Sequence, residues 1–101
     1  MFTVLYKWRI YPGFEQQFID SWSEITAWYR ENTGSLGSRL HRGSDGLWYG
    51  YAQWLSVDAR SAAFRDRPAH PAREKMAEAI EESFDEIQFE VAADYLILPK
   101  S

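Results

Sequence analysis

From residue 2 the chain alternates. Phe2, Val4, Tyr6, Trp8 and Ile10 are separated by Thr3, Leu5, Lys7, Arg9 and Tyr11. A period of two predicts a strand over 2–11, and Pro12-Gly13 ends it. The period then changes. Phe14, Phe18, Trp22, Ile25 and Tyr29 fall three or four apart, the stripe of a helix reaching about Asn32. Glu15 lies in its first turn, where the helix dipole favours an acid. Asn32-Thr33-Gly34 is a stop signal.

A second strand is predicted over 35–42, with Leu36 and Leu40 on one face and Arg39 and His41 on the other. Gly43-Ser44-Asp45-Gly46 predicts a hairpin into a third strand over 47–55. That strand is apolar on both faces: Leu47, Tyr49, Tyr51 and Leu55 against Trp48, Ala52 and Trp54. Ser56 is placed to cap a short helix through about Arg67. Pro68 and Pro71 interrupt it. Ala72, Met76, Ile80 and Phe84, four apart, extend a further helix to about Asp85. Ile87, Phe89, Val91, Tyr95 and Ile97 predict a last strand over 87–98, which Pro99 ends. The order is β-α-β-β-α-β, an α+β chain with a four-stranded antiparallel sheet of the ferredoxin-like kind.

Helices can cover one face of such a sheet. The first and third strands carry large apolar groups on both. A wet second face would be an apolar patch larger than soluble monomers usually expose, so a homodimer through that face is expected.

Composition narrows the function. A length of 101 residues predicts one domain, 1–101. The net charge is −4 and no basic run occurs, which argues against a nucleic-acid partner. There is no Cys, so disulfides, thiol nucleophiles and cysteine-ligated metals are excluded. No apolar run approaches a membrane span, and no leader pattern is visible at the N-terminus. The expectation is a cytoplasmic protein. Aromatic residues make up 17% of the chain, enough to line a cavity as well as fill a core.

The stretches Trp8-Arg9-Ile10-Tyr11-Pro12-Gly13, then Phe18, then Gly34 to Arg42, then Tyr51-Ala52-Gln53-Trp54-Leu55-Ser56 resemble the antibiotic biosynthesis monooxygenase family. The likeness covers nearly the whole chain. It implies a dimeric α+β barrel in which two sheets close face to face. It also implies a small-molecule cavity between each sheet and its own helices. Characterised members oxidise electron-rich aromatic substrates with molecular oxygen, using neither metal nor flavin, so no cofactor is expected. A heme-degrading branch uses an Asn, a Trp and a His. The Asn position falls near Tyr6 and the segment 57–67 has no Trp, so two of those three roles are unmatched.

Cofactor-free oxygenation needs a flat dry slot, a base of near-neutral pKa and a donor or cation for the developing anion. Tyr6, Trp8, Trp22, Trp28, His41, Trp54 and Phe64 are the candidate substrate-binding residues. His70, in the proline break, is the candidate base, ahead of His41. Arg39 and Arg73 are the candidate cations, ahead of Arg42, Arg65 and Arg67. His70 and Glu74 have metal-ligand spacing, but two ligands are too few for zinc. The acids from Glu78 to Glu86 read as a solvated helix end. The alternatives to a monooxygenase are a non-catalytic protein that binds heme or another aromatic ligand, and an isomerase or lyase on the same scaffold.

Overall fold

A computed structural model describes residues 1–65 and 69–97. The elements are β1 (Phe2–Ile10), α1 (Glu15–Asn32), β2 (Ser35–Arg42), β3 (Trp48–Trp54), α2 (Val57–Arg65), α3 (Pro71–Ala79), β4 (Ile80–Ser83) and β5 (Ile87–Glu90). All strand pairs are antiparallel. The sheet order is β2-β3-β1-β4, with β5 also on β1. β5 lies opposite Phe2–Leu5 and β4 opposite Trp8–Ile10, so the two act as one broken fourth strand. This is the expected ferredoxin-like arrangement.

Alternation decides the core. The even positions of β1 and β3 face the helices, where Val4, Trp8, Ile10, Trp48, Ala52 and Trp54 are buried. Phe18 of α1 is wholly buried. Its ring meets Trp8 and Trp48 edge-on, at centroid distances of 5.2 and 5.7 Å. The odd positions form the open face, with Leu5, Lys7 and Arg9 beside Tyr49 and Tyr51.

The hairpin and the Ser56 cap are as expected, the latter through a hydrogen bond from the Ala59 amide to Ser56 Oγ at 3.1 Å. Arg67, Pro68, Leu98 and Pro99 lie outside the described residues. Three expectations are corrected. Leu36 does not share a face with Leu40. Gly37 has φ +98°, and β2 shifts register between Ser35 and Ser38. That bulge places an extra residue in the strand and leaves Leu36 exposed.

The second correction is the helix end. α3 stops at Ala79, and Ile80 turns extended to pair with Ile10. The four-residue spacing of Ile80 and Phe84 is real, but β1 has an open edge whose amides and carbonyls need partners. Pairing there wins over helix continuation.

The third is the last strand. It ends at Glu90, which faces Phe2, the first residue of β1. Beyond Glu90 no strand among the described residues remains to pair with. No described helix is long and apolar enough to cross a membrane.

Candidate active site

A cavity of about 470 Å3 lies between the sheet and the helices, within the range of small-molecule sites. Its floor is the helix-facing side of the two central strands: Tyr6 and Trp8 of β1, Gly50, Ala52 and Trp54 of β3. Gly50 makes the floor possible. A Cβ there would stand 2.9 Å from Trp8 Cη2 and 3.0 Å from its Cζ3. Only a bare backbone lets the indole lie across β3. Tyr6 stacks along Trp8, with centroids 5.8 Å apart and planes 13° apart.

The roof comes from the helices. α1 supplies Trp22, Ile25 and Tyr29, and α2 supplies Arg60 and Phe64. α3 contributes Arg73 and Met76, and Glu86 reaches in from the break between β4 and β5. Tyr29, Trp54 and Phe64 form a trio of steeply inclined rings, with centroids 5.4 to 6.4 Å apart.

Two guanidiniums are set among these rings. Arg60 Nη2 donates to Tyr6 Oη at 2.8 Å and to Glu86 Oε1 at 2.8 Å. Arg73 Nη2 donates to Tyr29 Oη at 2.9 Å. Among the described residues, Trp54 Nε1, Arg60 Nε and Arg73 Nε are buried without an acceptor. All three are donors. Burial raises the Tyr6 hydroxyl above its ordinary range, although Arg60 opposes it, so Tyr6 stays protonated at neutral pH. The Arg60 hydrogen bond holds the Glu86 carboxyl below the usual range, against its desolvation. Burial alone would lower Arg60, but Glu86 and Tyr6 outweigh it and leave the guanidinium more firmly charged.

Six of the residues expected from sequence meet here: Tyr6, Trp8, Trp22, Trp54, Phe64 and Arg73. Four lie elsewhere. Trp28 packs edge-on against Tyr29 outside the cavity lining, at 5.2 Å. His70 caps α3, its Nδ1 accepting from the Ala72 amide at 3.0 Å. Arg39 and His41 sit opposite Tyr51 and Tyr49 on the open-face side of β2. Arg39 borders a separate groove with Trp22 and Tyr51. Among the described residues, no three His, Asp or Glu side chains gather in a metal-binding cluster.

Sequence reasoning missed Arg60, Glu86 and Gly50. Arg60 carried a signal, because it precedes Phe64 by four and so shares its helix face. Glu86 carried none. Its acidic neighbours mark it as a solvated acid on a helix end, yet it stands in a strand break beside Arg60. Gly50 depends on the approach of a side chain from another strand.

No protein-family model matches the chain, and no curated protein matches it. Solved structures do. SnoaB of Streptomyces nogalater, described as a cofactor-independent oxygenase, has a TM-score of 0.77 at 16% identity, over 93% of this chain and 95% of its own. A Bordetella bronchiseptica protein named as a candidate antibiotic biosynthesis monooxygenase has a TM-score of 0.70 at 18% identity, over 91% and 97%. One from Deinococcus radiodurans, named likewise, has a TM-score of 0.72 at 12% identity, over 98% and 100%. Identities this low speak for backbone shape and leave side-chain roles open. In that shape, a ferredoxin-like sheet backed on one face by helices, the chain has the fold of the antibiotic biosynthesis monooxygenases.

Proposed function

We propose that the cavity binds a small electron-rich aromatic molecule, a quinol, anthrone or polyketide-like compound, and oxidises it with molecular oxygen without a cofactor. The observation that carries this reading is the pairing of aromatic walls with two buried-edge guanidiniums in one cavity. The fold it shares with a cofactor-independent oxygenase supports it.

In this reading the substrate supplies the electrons, and the protein makes its anion easier to form. Arg60 and Arg73 stabilise negative charge on a substrate oxygen. Tyr6, kept protonated by burial, is a donor to the same region. Glu86, ionised at neutral pH, is the carboxylate at hand to take the proton. Oxidation of a ring methylene to a carbonyl consumes one O2, places one oxygen atom on carbon and releases the other as water. The roles expected of His70 and Arg39 pass to Arg60, Arg73 and Glu86.

A second copy is proposed to cover the open face as a homodimer. Ile87 is 53% exposed there and Phe89 38%, and the segment after β5 leaves Tyr95 at 92%. Sedimentation of the wild type beside an Ile87→Asp/Phe89→Asp variant checks this. A monomer in both would end the dimer proposal.

One observation favours a ligand-binding protein without turnover. Among the described residues no imidazole lines the cavity, and Glu86 is a weakened base. The experiment is oxygen uptake by metal-stripped protein offered hydroquinones, naphthoquinols and anthrones, with calorimetric binding measured in parallel. Uptake lost in Trp8→Ala and Arg60→Gln variants that still fold supports the oxygenase. Binding of these compounds with no uptake supports the second reading. Neither binding nor uptake sinks both.

A further inference from the structure

We propose that the ligand of this cavity is an acid in its ground state, an aromatic compound bearing a carboxylate, and that Arg73 is the group that anchors it. The inference rests on the aromatic-binding reading above and narrows its ligand class.

Among the described residues the cavity lining holds two cations, Arg60 and Arg73, and one anion, Glu86. They are not shared evenly. Glu86 stands 2.8 Å from Arg60 and neutralises it. Arg73 has no carboxylate partner among the described residues. Among the described residues its side chain makes a single hydrogen bond, to the uncharged hydroxyl Tyr29 Oη rather than to a carboxylate.

Arg73 is also badly placed for helix stability. It is the third residue of α3, in the first turn, where the helix dipole repels a cation. Its Nε is buried with no acceptor. A long flexible side chain ordinarily escapes such a position by reaching water. Arg73 is held half-buried, because Tyr29, itself buried, ties down one end of the fork. The guanidinium is therefore held at the wall of an aromatic cavity with no carboxylate on it among the described residues. A guanidinium has five N–H donors in a planar fork, and Tyr29 uses one. A carboxylate takes two parallel N–H groups from such a fork. The aromatic walls supply the surface for the rest of the molecule. An acid arriving here completes the charge balance of the cavity, whereas a neutral aromatic leaves Arg73 unpaired and further desolvated.

The probes are 1-hydroxy-2-naphthoic acid and its methyl ester, which differ in charge at one carboxyl. Isothermal titration calorimetry on the full chain at pH 7 compares them. The acid is expected to bind at least about tenfold tighter than the ester, as a charge-assisted pair requires. Arg73→Gln should abolish the preference, bringing the ratio of acid to ester affinity to about one. Arg73→Lys should keep part of the preference, having the charge without the fork. Equal binding of acid and ester by the unaltered protein overturns the proposal, whether or not the variants fold. So does an acid preference that survives in a folded Arg73→Gln variant. Ester binding without acid preference leaves the aromatic-cavity reading standing. Failure of both probes to bind removes the two readings together.

Discussion

The two faces of this sheet carry similar side chains and behave differently. The helix side of β1 and β3 presents Tyr6, Trp8, Trp48 and Trp54. The open side presents Leu5, Lys7, Tyr49 and Tyr51. Both are aromatic and both sit near cations. On the helix side, small residues at Gly50 and Ala52 leave a hollow, and the guanidiniums make directed hydrogen bonds at its edge. On the open side the cations lie over rings, Lys7 Nζ 4.8 Å from the Phe84 centroid and Arg9 5.8 Å from it. Aromatic content alone does not mark a site. The hollow and the aimed donors do.

The contrast can be tested by truncation on either side. Phe18→Ala removes a wholly buried ring from the helix side and should cost about 3–5 kcal/mol. Tyr51→Ala, on the open side, should cost about 1 kcal/mol or less at low protein concentration. Chemical denaturation of both variants checks the ranking. A Tyr51→Ala cost that grows with concentration would mean that a second copy covers the open face. Equal costs in dilute solution would erase the contrast.

Gly50→Ala comes next. The added methyl meets Trp8 at 2.9 Å, and overpacking of this kind costs about 1–3 kcal/mol. It should also shift the indole and weaken binding of an aromatic probe. Gln53→Ala, on the opposite face of the same strand, should leave probe binding unchanged. Calorimetry on the pair separates the cavity floor from general sheet stability.

The pH response is smaller and has two limbs. Glu86 has a lowered folded pKa, so its pairing with Arg60 stabilises the fold above the ordinary value of about 4.3 and fades as pH falls through the folded value. Tyr6 has a raised folded pKa, so its contribution is full below about pH 10 and is lost as pH rises through the folded value. Glu86→Gln should flatten the acid limb of stability against pH by about 1 kcal/mol or less, since the pair is partly exposed. Tyr6→Phe should flatten the alkaline limb. Limbs unchanged in both variants would remove these groups as the cause.

The smallest effect separates the two tyrosines by mechanism. Tyr49 also titrates high, but chiefly because its hydroxyl donates to the Asp45 carboxylate. Asp45→Asn should return Tyr49 toward its ordinary value in an ultraviolet titration, with Tyr6 unmoved. A shift in Tyr6 would show that the faces are electrically coupled.

Much of the fold was legible from local chemistry. The period of two in β1, the three-four stripe of α1, the Asp45-Gly46 turn and the Ser56 cap all act within a few residues. Each therefore leaves a local mark. The cavity wall was half legible, because Tyr6, Trp8 and Trp54 follow from strand alternation once helices cover one face. The remainder depended on partners distant in the chain. Ile80 looks helical by spacing but pairs with Ile10 because β1 offers an open edge. The strand after Ile87 stops where β1 begins, a limit set by residue 2. His70 reads as a titrating base in a proline break, yet its imidazole nitrogen is taken by the first turn of α3.

By itself, then, the sequence determined the order of elements, the two-faced apolar character of the central strands and the aromatic supply for a cavity. These follow from periodicity and composition, which are local quantities. The tertiary structure alone decided which of the described arginines face the cavity, that Glu86 neutralises Arg60 while Arg73 has no carboxylate among the described residues, and that Gly50 clears space for Trp8. Those facts are distances between residues far apart in the chain, and folding sets them by packing and charge pairing that no local pattern encodes.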